Sequence, residues 1–517
     1  MKKLISLFLI IIIFISTTAC DLLSKEIAQK FNDTNGETDD SKNSEIIELT
    51  RTFYQKYNES GAGTSVVTSY EGLTLSDESA NKYPLIKNIL SSIIEENNSS
   101  CLSSFYDLTS MAYQFSSMPD MTLYSHSNVF VRRADSRILS LLFTTDSYSG
   151  GAHGSYYFEG KSIDVQSGKE LSLRDMTNDV QALSKIIYNK LMENYTREHF
   201  FDAEAVDEYI FEQFDSLEWV ADYNGITVIF NHYEIAPYAS GSQIVMIPYD
   251  EIPGLKNDEY KKTPKSYAVE LAPYMVHYFS LDDDDILNKL NIYYAMENSY
   301  EPVPITLNVD DAEITLSDYS YDSKAILVHM NKGENYMYTQ VGIEETNEIH
   351  IHKLSSFGAK KLHIFDGSLR YMYDMDTELG SQKVFTNPMS FELSHMSSVI
   401  STVNSYRSYF VNKEGIPQHF ADQNLYIVDS DWGTKYTLLR PLEVEIIDSK
   451  TGKVKETKTL KEGDKLTYYR TDSEKICDLK LSDGKIARIE IDVANTWPRT
   501  INGVNIEEIF EGIEFAG

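Results

Sequence analysis

Cysteine is scarce in this chain of 517 residues, which contains only Cys20, Cys101 and Cys477. Their spacing leaves no CxxC pair for a structural zinc site, and three residues are too few for a disulfide scaffold. The sequence also contains no P-loop, GxGxxG, HExxH or GxSxG motif. A serine or cysteine nucleophile with an ordered base is therefore not identifiable, and we predict no cofactor.

Positive charge is also in short supply, with 46 lysines and arginines against 79 aspartates and glutamates. The formal net charge is −33, and loss of Lys2 and Lys3 with an N-terminal signal would make it −35. Because phosphates would be repelled, nucleic acid is excluded as a partner. Cationic partners such as basic secreted proteins would be attracted at long range. The alternative is that the charge serves solubility alone.

Proline is sparse too, at 13 residues, whereas 42% of the chain is apolar and 36 residues are tyrosine. This composition favours folded, β-rich domains over disorder. The length exceeds one ordinary core, so we predict three folded units. They are an α+β module over 49–258, a mostly β domain over 259–440 and a small β-barrel with a short C-terminal helix over 441–517. The polar residues 21–48 predict a flexible tether.

No apolar run reaches the roughly 20 residues that a membrane helix needs. The run over 4–15 follows two lysines and precedes small residues that end at Cys20. This pattern is typical of a secretory signal peptide over 1–20. It also resembles a bacterial lipoprotein signal, although Thr17 stands where that family prefers leucine. We predict that Cys20 carries palmitate and anchors the protein at the extracytoplasmic face of the cell membrane; the alternative is an ordinary signal with an incidental cysteine.

The predicted α+β module mixes helical and strand patterns. Pro84 opens a helix with apolar residues at 3.6-residue spacing, and a second helix is predicted over 103–115. Further along, the patterns predict a hairpin over 129–145, a strand over 156–165, a helix near 180–191 and a second hairpin over 226–248.

Beyond residue 258 the sequence predicts strands almost throughout. Short alternating segments such as AILVHM (325–330) and EIHIHKL (348–354) recur without a strong helical pattern. From residue 441 onward, five short strands are separated by glycine or aspartate turns. This last segment resembles a small bacterial barrel of the Src-homology type.

Two groups of side chains could hold a metal. Asp282–Asp285 precede the helical pattern ILNKLNIYYAMEN, where acids either bind calcium or complement a positive helix start. The glycine and the spaced ligands of a calcium loop are missing, so we predict a helix there. His350 and His352 share one face of a predicted strand near His363, and together could bind zinc or copper. Solvent-facing histidines are the simpler interpretation, and we predict no metal site.

The most distinctive local sequence is the glycine cluster that follows Tyr148. Gly150, Gly151 and Gly154 permit positive φ and close backbone approach, and their amides can cradle an oxyanion or carbonyl. His153 within the cluster could serve as an acid or base near neutral pH. The alternative is a glycine-rich strand connection whose histidine satisfies a local hydrogen bond. We predict a binding surface here and no catalytic residue.

A second candidate surface is the loop of the second hairpin. Tyr233 and Tyr238 lie there beside His232 and Glu234, and the tyrosines could stack on a sugar or on a protein partner. Packing against the core or its rim is the alternative.

Three blocks of the module carry a family resemblance: RILSLLFTTDSYSGGAHG (137–154), IDVQSGKELSLRDM (163–176) and the segment 225–252. Together they resemble the extracellular domain family of the lysozyme-sensing anti-sigma factor RsiV, which also accompanies the peptidoglycan deacetylase PdaC. The resemblance spans about 128–255, and the preceding region resembles the companion domain of that family. It implies an extracellular module whose ligand is derived from the cell wall or is lysozyme-like.

The departures from that family limit what it implies. A lipoprotein-type signal replaces the cytoplasmic domain and transmembrane helix of the anti-sigma factor, and no aspartate–histidine metal motif follows residue 258. We therefore predict a binding protein that recognises a cell-wall glycan or a basic secreted protein such as lysozyme. One alternative is a cell-wall hydrolase that uses His153, and another is a structural scaffold of the envelope.

Overall fold

The structure of the protein is a computed structural model. It describes residues 45–59, 64–114, 121–282, 284, 286–294, 302–343, 346–374, 379–429, 433–492 and 496–515. The predicted signal peptide with Cys20 lies outside the described residues, as does the tether as far as residue 44. The chain divides into two compact units, whose globular parts are Lys42–Pro388 and Met389–Gly517. The predicted boundary after residue 258 lies within the first of these units, and the predicted boundary after residue 440 lies within the second.

The first unit begins with six strands of one mixed sheet. They are β1 (Leu49–Glu59), β2 (Thr64–Leu75), β3 (Met121–Ala134), β4 (Ile138–Tyr148), β5 (Ser155–Asp164) and β6 (Lys169–Leu171). Adjacent strands are antiparallel except β2 and β3, which are parallel. Parallel neighbours need a long crossover connection, and two helices provide it here. The predicted hairpin that turns near residue 135 is confirmed as β3 and β4. The folded part starts before residue 49, since Ile47 is fully buried.

Two helices cover one face of this sheet, α1 (Asp77–Lys82) and α2 (Pro84–Ala112). Pro84 occupies the first turn of α2, as predicted. Ile86, Leu90 and Ile93 are buried against residues such as Leu141 of β4. The separate helix predicted over 103–115 is instead the continuation of α2, because no glycine or proline interrupts the 29 residues of the helix.

The other face of the sheet packs on a smaller layer of strands and helices. This layer contains α3 (Val180–Asn194), α4 (Ala205–Glu212), β7 (Glu218–Ala221), β8 (Gly225–Phe230) and β9 (Gln243–Pro248). Phe158 of β5 is buried against Val220 and Ile229 of this layer. Gly160 allows the close approach of β5 and β7, since a Cβ there would lie 2.0 Å from the carbonyl oxygen of Trp219.

The rest of the first unit is built of antiparallel strands. These are β10 (Tyr267–Glu270), β11 (Val276–Ser280), β12 (Leu287–Tyr293), β13 (Val303–Val309), β14 (Ala312–Ser320), β15 (Ser323–Asn331), β16 (Glu334–Ile343), β17 (Thr346–Ser355), β18 (Gly358–Asp366), β19 (Ser368–Leu369), β20 (Tyr371–Asp374) and β21 (Leu379–Lys383). Strands β11 to β14 form one sheet, and β10 with β15 to β18 form another. β21 pairs with β1, so this late segment extends the N-terminal sheet.

The helix predicted after Asp282–Asp285 is wrong, because Leu287–Tyr293 is the strand β12. Leu290 and Ile292 are buried on one face, whereas Lys289 and Tyr293 are exposed. This alternation places the apolar residues in the core that the two antiparallel sheets share. The aromatic and branched residues of the segment fit a strand as well as a helix, and pairing with β11 and β13 decides between them.

The described elements of the second unit are strands and one 3-10 turn. The strands are β22 (Phe391–Ser398), β23 (Thr402–Val411), β24 (Pro417–His419), β25 (Tyr426–Val428), β26 (Lys435–Leu438), β27 (Leu442–Ile447), β28 (Val454–Leu460), β29 (Lys465–Thr471), β30 (Ile476–Leu481), β31 (Ile486–Glu490), β32 (Thr500–Ile501), β33 (Val504–Asn505) and β34 (Phe510–Glu511). β27 and β28 form a hairpin, and β29 to β31 form a meander. A 3-10 turn at Ile506–Glu508 stands where the short helix was predicted, and β34 then pairs with β26. The described strands form no closed barrel.

The protein is thus mostly β, with its described α-helices confined to the α+β part of the first unit. Among the described helices, none is long and apolar enough to cross a bilayer.

Candidate functional site

The glycine cluster forms the connection between β4 and β5. Gly150 and Gly151 adopt φ values of 93° and 116°, which side-chain-bearing residues rarely adopt. Tyr148 closes the connection, because its Oη donates a hydrogen bond to the carbonyl oxygen of Gly151 at 3.0 Å. Gly154 permits a close approach, since a Cβ there would lie 3.0 Å from the carbonyl oxygen of Ser147. The glycines therefore shape a tight turn.

His153 is exposed and packs on a residue of the other predicted surface. Its ring stacks on that of Tyr238, with centroids 4.0 Å apart. His153 Nδ1 and Tyr238 Oη both donate hydrogen bonds to the carbonyl oxygen of Gly154, at 2.8 and 2.9 Å. Because Nδ1 carries the proton in this arrangement, Nε2 is the acceptor nitrogen of the neutral imidazole.

The loop between β8 and β9 supplies the remaining rings. His232 stacks on Tyr238 with centroids 4.7 Å apart, and Tyr233 lies 5.7 Å from the same ring. His232 Nδ1 donates a hydrogen bond to the carbonyl oxygen of Tyr156 in β5, at 3.1 Å. We call His153, His232, Tyr233 and Tyr238 the aromatic cluster. The structure thus brings the two predicted surfaces into direct contact through Tyr238.

A cleft of about 500 Å³ opens beside the aromatic cluster. Tyr156, Tyr238, Tyr274 and Tyr293 contribute rings to its walls, and Asp146 contributes a carboxylate. Asp146, Tyr274 and Tyr293 come from three separate segments, so nothing in the local sequence marks them as neighbours. This volume is typical of sites that take one small-molecule ligand or one unit of a polymer.

Unusual backbone conformations occur at Tyr233 of the aromatic cluster and at Tyr274 of the cleft wall. Tyr233 has a φ of 67° and Tyr274 a φ of 61°, and their side chains are 58% and 62% exposed. A positive φ is costly for a bulky residue, so it persists only where the surroundings enforce it. Here the strained backbone holds aromatic rings in solvent, which is the arrangement that a binding surface requires.

Burial shifts the ionisation of two carboxyl groups near the cleft. Asp146 is partly buried, and desolvation raises its pKa. Desolvation also raises the pKa of Glu234 to about 7, and the charge of Glu218 adds to this shift against two opposing hydrogen bonds from Asn231. Both groups therefore lose hydration without gaining a compensating cation.

The geometry does not assemble a catalytic group around His153. Its described contacts are the Gly154 carbonyl and the Tyr238 ring, and they include no carboxylate that could orient the imidazole. In the described ranges, no three histidine, cysteine, aspartate or glutamate side chains cluster as metal ligands. His350 and His352 are buried, contrary to the solvent-facing interpretation, and His350 Nε2 bonds to Glu348 at 2.8 Å.

Residues 173–250 match a protein family described as "Protein of unknown function (DUF3298)". The match covers α3, α4 and β7 to β9, and it includes Tyr233 and Tyr238 but not the glycine cluster. No curated protein matches this chain.

Two solved structures of that family are similar to this chain. One is a DUF3298 family member from Bacteroides fragilis that is 19% identical to this chain, with a TM-score of 0.31. The aligned region covers 40% of this chain and 93% of the Bacteroides fragilis chain. The other, from Pseudomonas aeruginosa, is 18% identical and covers 41% and 96%, with a TM-score of 0.28. The family match itself shows that residues 173–250 form a DUF3298 domain.

Proposed function

We propose that this protein is a lipid-anchored, extracytoplasmic binding protein that recognises cell-wall fragments in the cleft beside the aromatic cluster. The observation that carries the proposal is the set of tyrosine rings around one cleft. Among them, Tyr274 and Tyr293 are exposed, and Tyr274 has a positive φ. The exposed rings of Tyr274 and Tyr293 offer flat stacking surfaces to the apolar faces of sugars, and their hydroxyl groups offer hydrogen bonds.

The resemblance to the RsiV and PdaC extracellular module supports this ligand class. The DUF3298 match supports the same assignment at the level of the family only. The anchor is proposed from Cys20 and the short apolar run before it, with the protein held at the outer face of the cell membrane.

A second candidate ligand is a basic secreted protein such as lysozyme. The net charge of −33 favours it, because a strongly acidic surface attracts a cationic partner at long range. Capture of lysozyme at low salt that disappears near 0.5 M salt would support this candidate, since exposed charges are screened there. No capture at low salt would remove it.

For residues 441–517 we propose a small barrel-like fold of the Src-homology type. The β27–β28 hairpin, the β29–β31 meander and the return of β34 to β26 after a 3-10 turn support this proposal.

The experiment is a calorimetric titration of the full mature chain with soluble muropeptides. We expect Tyr238→Ala to weaken binding about tenfold, because it removes the central ring of the cluster. Tyr106→Ala is the matched control, since Tyr106 is 66% exposed on α2, on the other side of the sheet. Absence of binding, or equal binding by all three proteins, would contradict the proposal. Release of wall fragments that His153→Ala abolishes would favour the hydrolase instead.

A further inference from the structure

Among the described residues that line the cleft beside the aromatic cluster, Asp146 has the one acidic side chain. It lies in β4, directly opposite His126 of β3 and Tyr156 of β5, so the three side chains share one face of the sheet. That face is opposite to the one covered by α2 and is turned toward the cleft.

The Asp146 carboxylate has neither a hydrogen-bond partner nor an ion-pair partner among the described residues. Two more deeply buried carboxylates of this unit are paired with arginines: Asp222 lies 2.7 Å from Arg132, and Glu270 lies 2.8 Å from Arg51. A partly buried carboxylate without a donor or cation is energetically costly. Its place in an open cleft leaves the carboxylate accessible to a ligand that carries a donor or a positive charge.

The rings around Asp146 narrow the chemistry of that ligand. Tyr156 and Tyr274 meet edge to face with centroids 5.4 Å apart, and Tyr238 and Tyr293 contribute to the same walls. Aromatic faces attract cations through their quadrupoles, and more strongly where water is excluded. A neutral sugar could accept stacking and donate hydrogen bonds, but it would leave the carboxylate charge uncompensated. A cation would be attracted by the rings and by the carboxylate together.

We infer that the cleft binds an organic ammonium group, which pairs with the Asp146 carboxylate and is enclosed by the tyrosine rings. This inference rests on the proposed function and specifies which part of a wall fragment is recognised. Within such a fragment, the ammonium can come from an amino sugar without its acetyl group or from the free amine of a diamino acid in the stem peptide.

The test is a calorimetric titration of the full mature chain at 150 mM salt with three probes. They are the hexamer of glucosamine, the hexamer of N-acetylglucosamine and a stem tripeptide that ends in diaminopimelate. We expect at least one ammonium probe to bind about tenfold more tightly than the acetylated hexamer. The probe that shows this preference identifies the source of the ammonium.

Three variants separate the site from general charge attraction. Asp146→Asn should abolish the preference, and Asp146→Glu should retain part of it. Glu96→Gln, which removes one exposed charge from α2 on the other side of the sheet, should leave it unchanged. Hydrogen exchange of β4 peptides would establish that each variant is folded.

Three results would overturn the inference. Tyr238-dependent binding of the acetylated hexamer with no ammonium preference, or a preference that survives in folded Asp146→Asn, would overturn it and leave the proposed function standing. No binding of any probe would overturn both.

Discussion

The imidazole of His153 stacks on the phenol ring of Tyr238 with centroids 4.0 Å apart, although the two residues belong to different hairpins. Both donate hydrogen bonds to the same carbonyl oxygen, that of Gly154. The glycine-rich connection is thus held by a residue of the DUF3298 domain.

Loss of this contact should loosen the glycine-rich connection. We expect Tyr238→Ala to speed amide exchange of residues 149–155 about fivefold to tenfold, as stacking and one hydrogen bond together contribute about 1 kcal/mol or slightly more. Tyr238→Phe keeps the ring and should show an intermediate effect. Hydrogen–deuterium exchange with mass spectrometry measures both, with Tyr106→Ala as the control. Unchanged exchange in Tyr238→Ala would show that the connection holds its shape unaided.

His277 should make the first unit sensitive to mild acid. Arg132 donates to His277 Nδ1, and Nε2 donates to the carbonyl oxygen of Ala272 at 2.8 Å, so the buried ring is neutral. Burial and the Arg132 charge lower the pKa of His277 well below its usual value. The unfolded chain therefore binds more protons below about pH 6.5, and stability falls as the pH decreases.

His277 changes the free energy of unfolding by at most about 1.4 kcal/mol per pH unit. Exchange of β3 and β4 peptides at pH 7 and pH 5 would measure it. We expect His277→Gln to reduce this pH dependence and the exposed His363→Gln to leave it unchanged. If exchange in the wild type, His277→Gln and His363→Gln depended equally on pH, His277 would not be the cause of the acid sensitivity.

Glu234 should have the opposite effect, so that the first unit loses stability as the pH rises. Its pKa is raised to about 7 by burial, so the folded state holds a proton that the unfolded state has lost between about pH 4.5 and 7. Stability therefore falls as the pH rises through this window, and the full penalty is present above pH 7. Solvent screening reduces it to about 1 kcal/mol because the group is only partly buried.

We accordingly expect Glu234→Gln to stabilise the first unit by about 1 kcal/mol at pH 8 and by almost nothing at pH 4.5. Thermal unfolding at the two pH values tests this, with the exposed Glu212→Gln as the control. A gain of the same size at both pH values would mean that packing, and not titration, is responsible.

Asp478 should be the most sensitive carboxylate of the second unit. It is fully buried and receives Arg488 Nε at 2.7 Å and Arg470 Nη2 at 2.9 Å. Asp478→Ala would leave two guanidinium groups facing each other without their counter-charge, at a cost of about 3 kcal/mol or more. Exchange of peptides covering β29 to β31 reports the loss.

The matched control is Glu490→Gln on the neighbouring strand β31. Its ion pair with Lys475 is exposed on both sides, so we expect a cost below about 1 kcal/mol. Similar costs for the two variants would show that burial does not set the importance of these pairs.

The final prediction concerns the proposed lipid anchor at Cys20. Expressed in a bacterium that processes lipoproteins, the full chain should incorporate labelled palmitate and sediment with membranes, because a fatty-acyl chain partitions into the bilayer. Cys20→Ser should abolish both, whereas Cys101→Ser should not. Labelling that survives in Cys20→Ser would contradict the proposed anchor.

Local elements were predictable wherever one periodicity dominated. The hairpin that turns near Asp135 and the helix at Pro84 followed from alternation and from a first-turn proline. Leu287–Tyr293 was mispredicted because its apolar residues suit either period, and the neighbouring strands decide the outcome. The pairing of β21 with β1 could not be predicted, since no local signal links segments about 330 residues apart.

For the candidate site, the sequence alone determined the two loops, because glycine spacing and clustered aromatic residues express local backbone preferences. Only the tertiary structure decided that Tyr238 joins them, and that Asp146, Tyr274 and Tyr293 meet around one cleft. The physical reason is that strand pairing and sheet packing join residues distant along the chain. These long-range contacts place the unpaired carboxylate of Asp146 among the aromatic rings of the cleft.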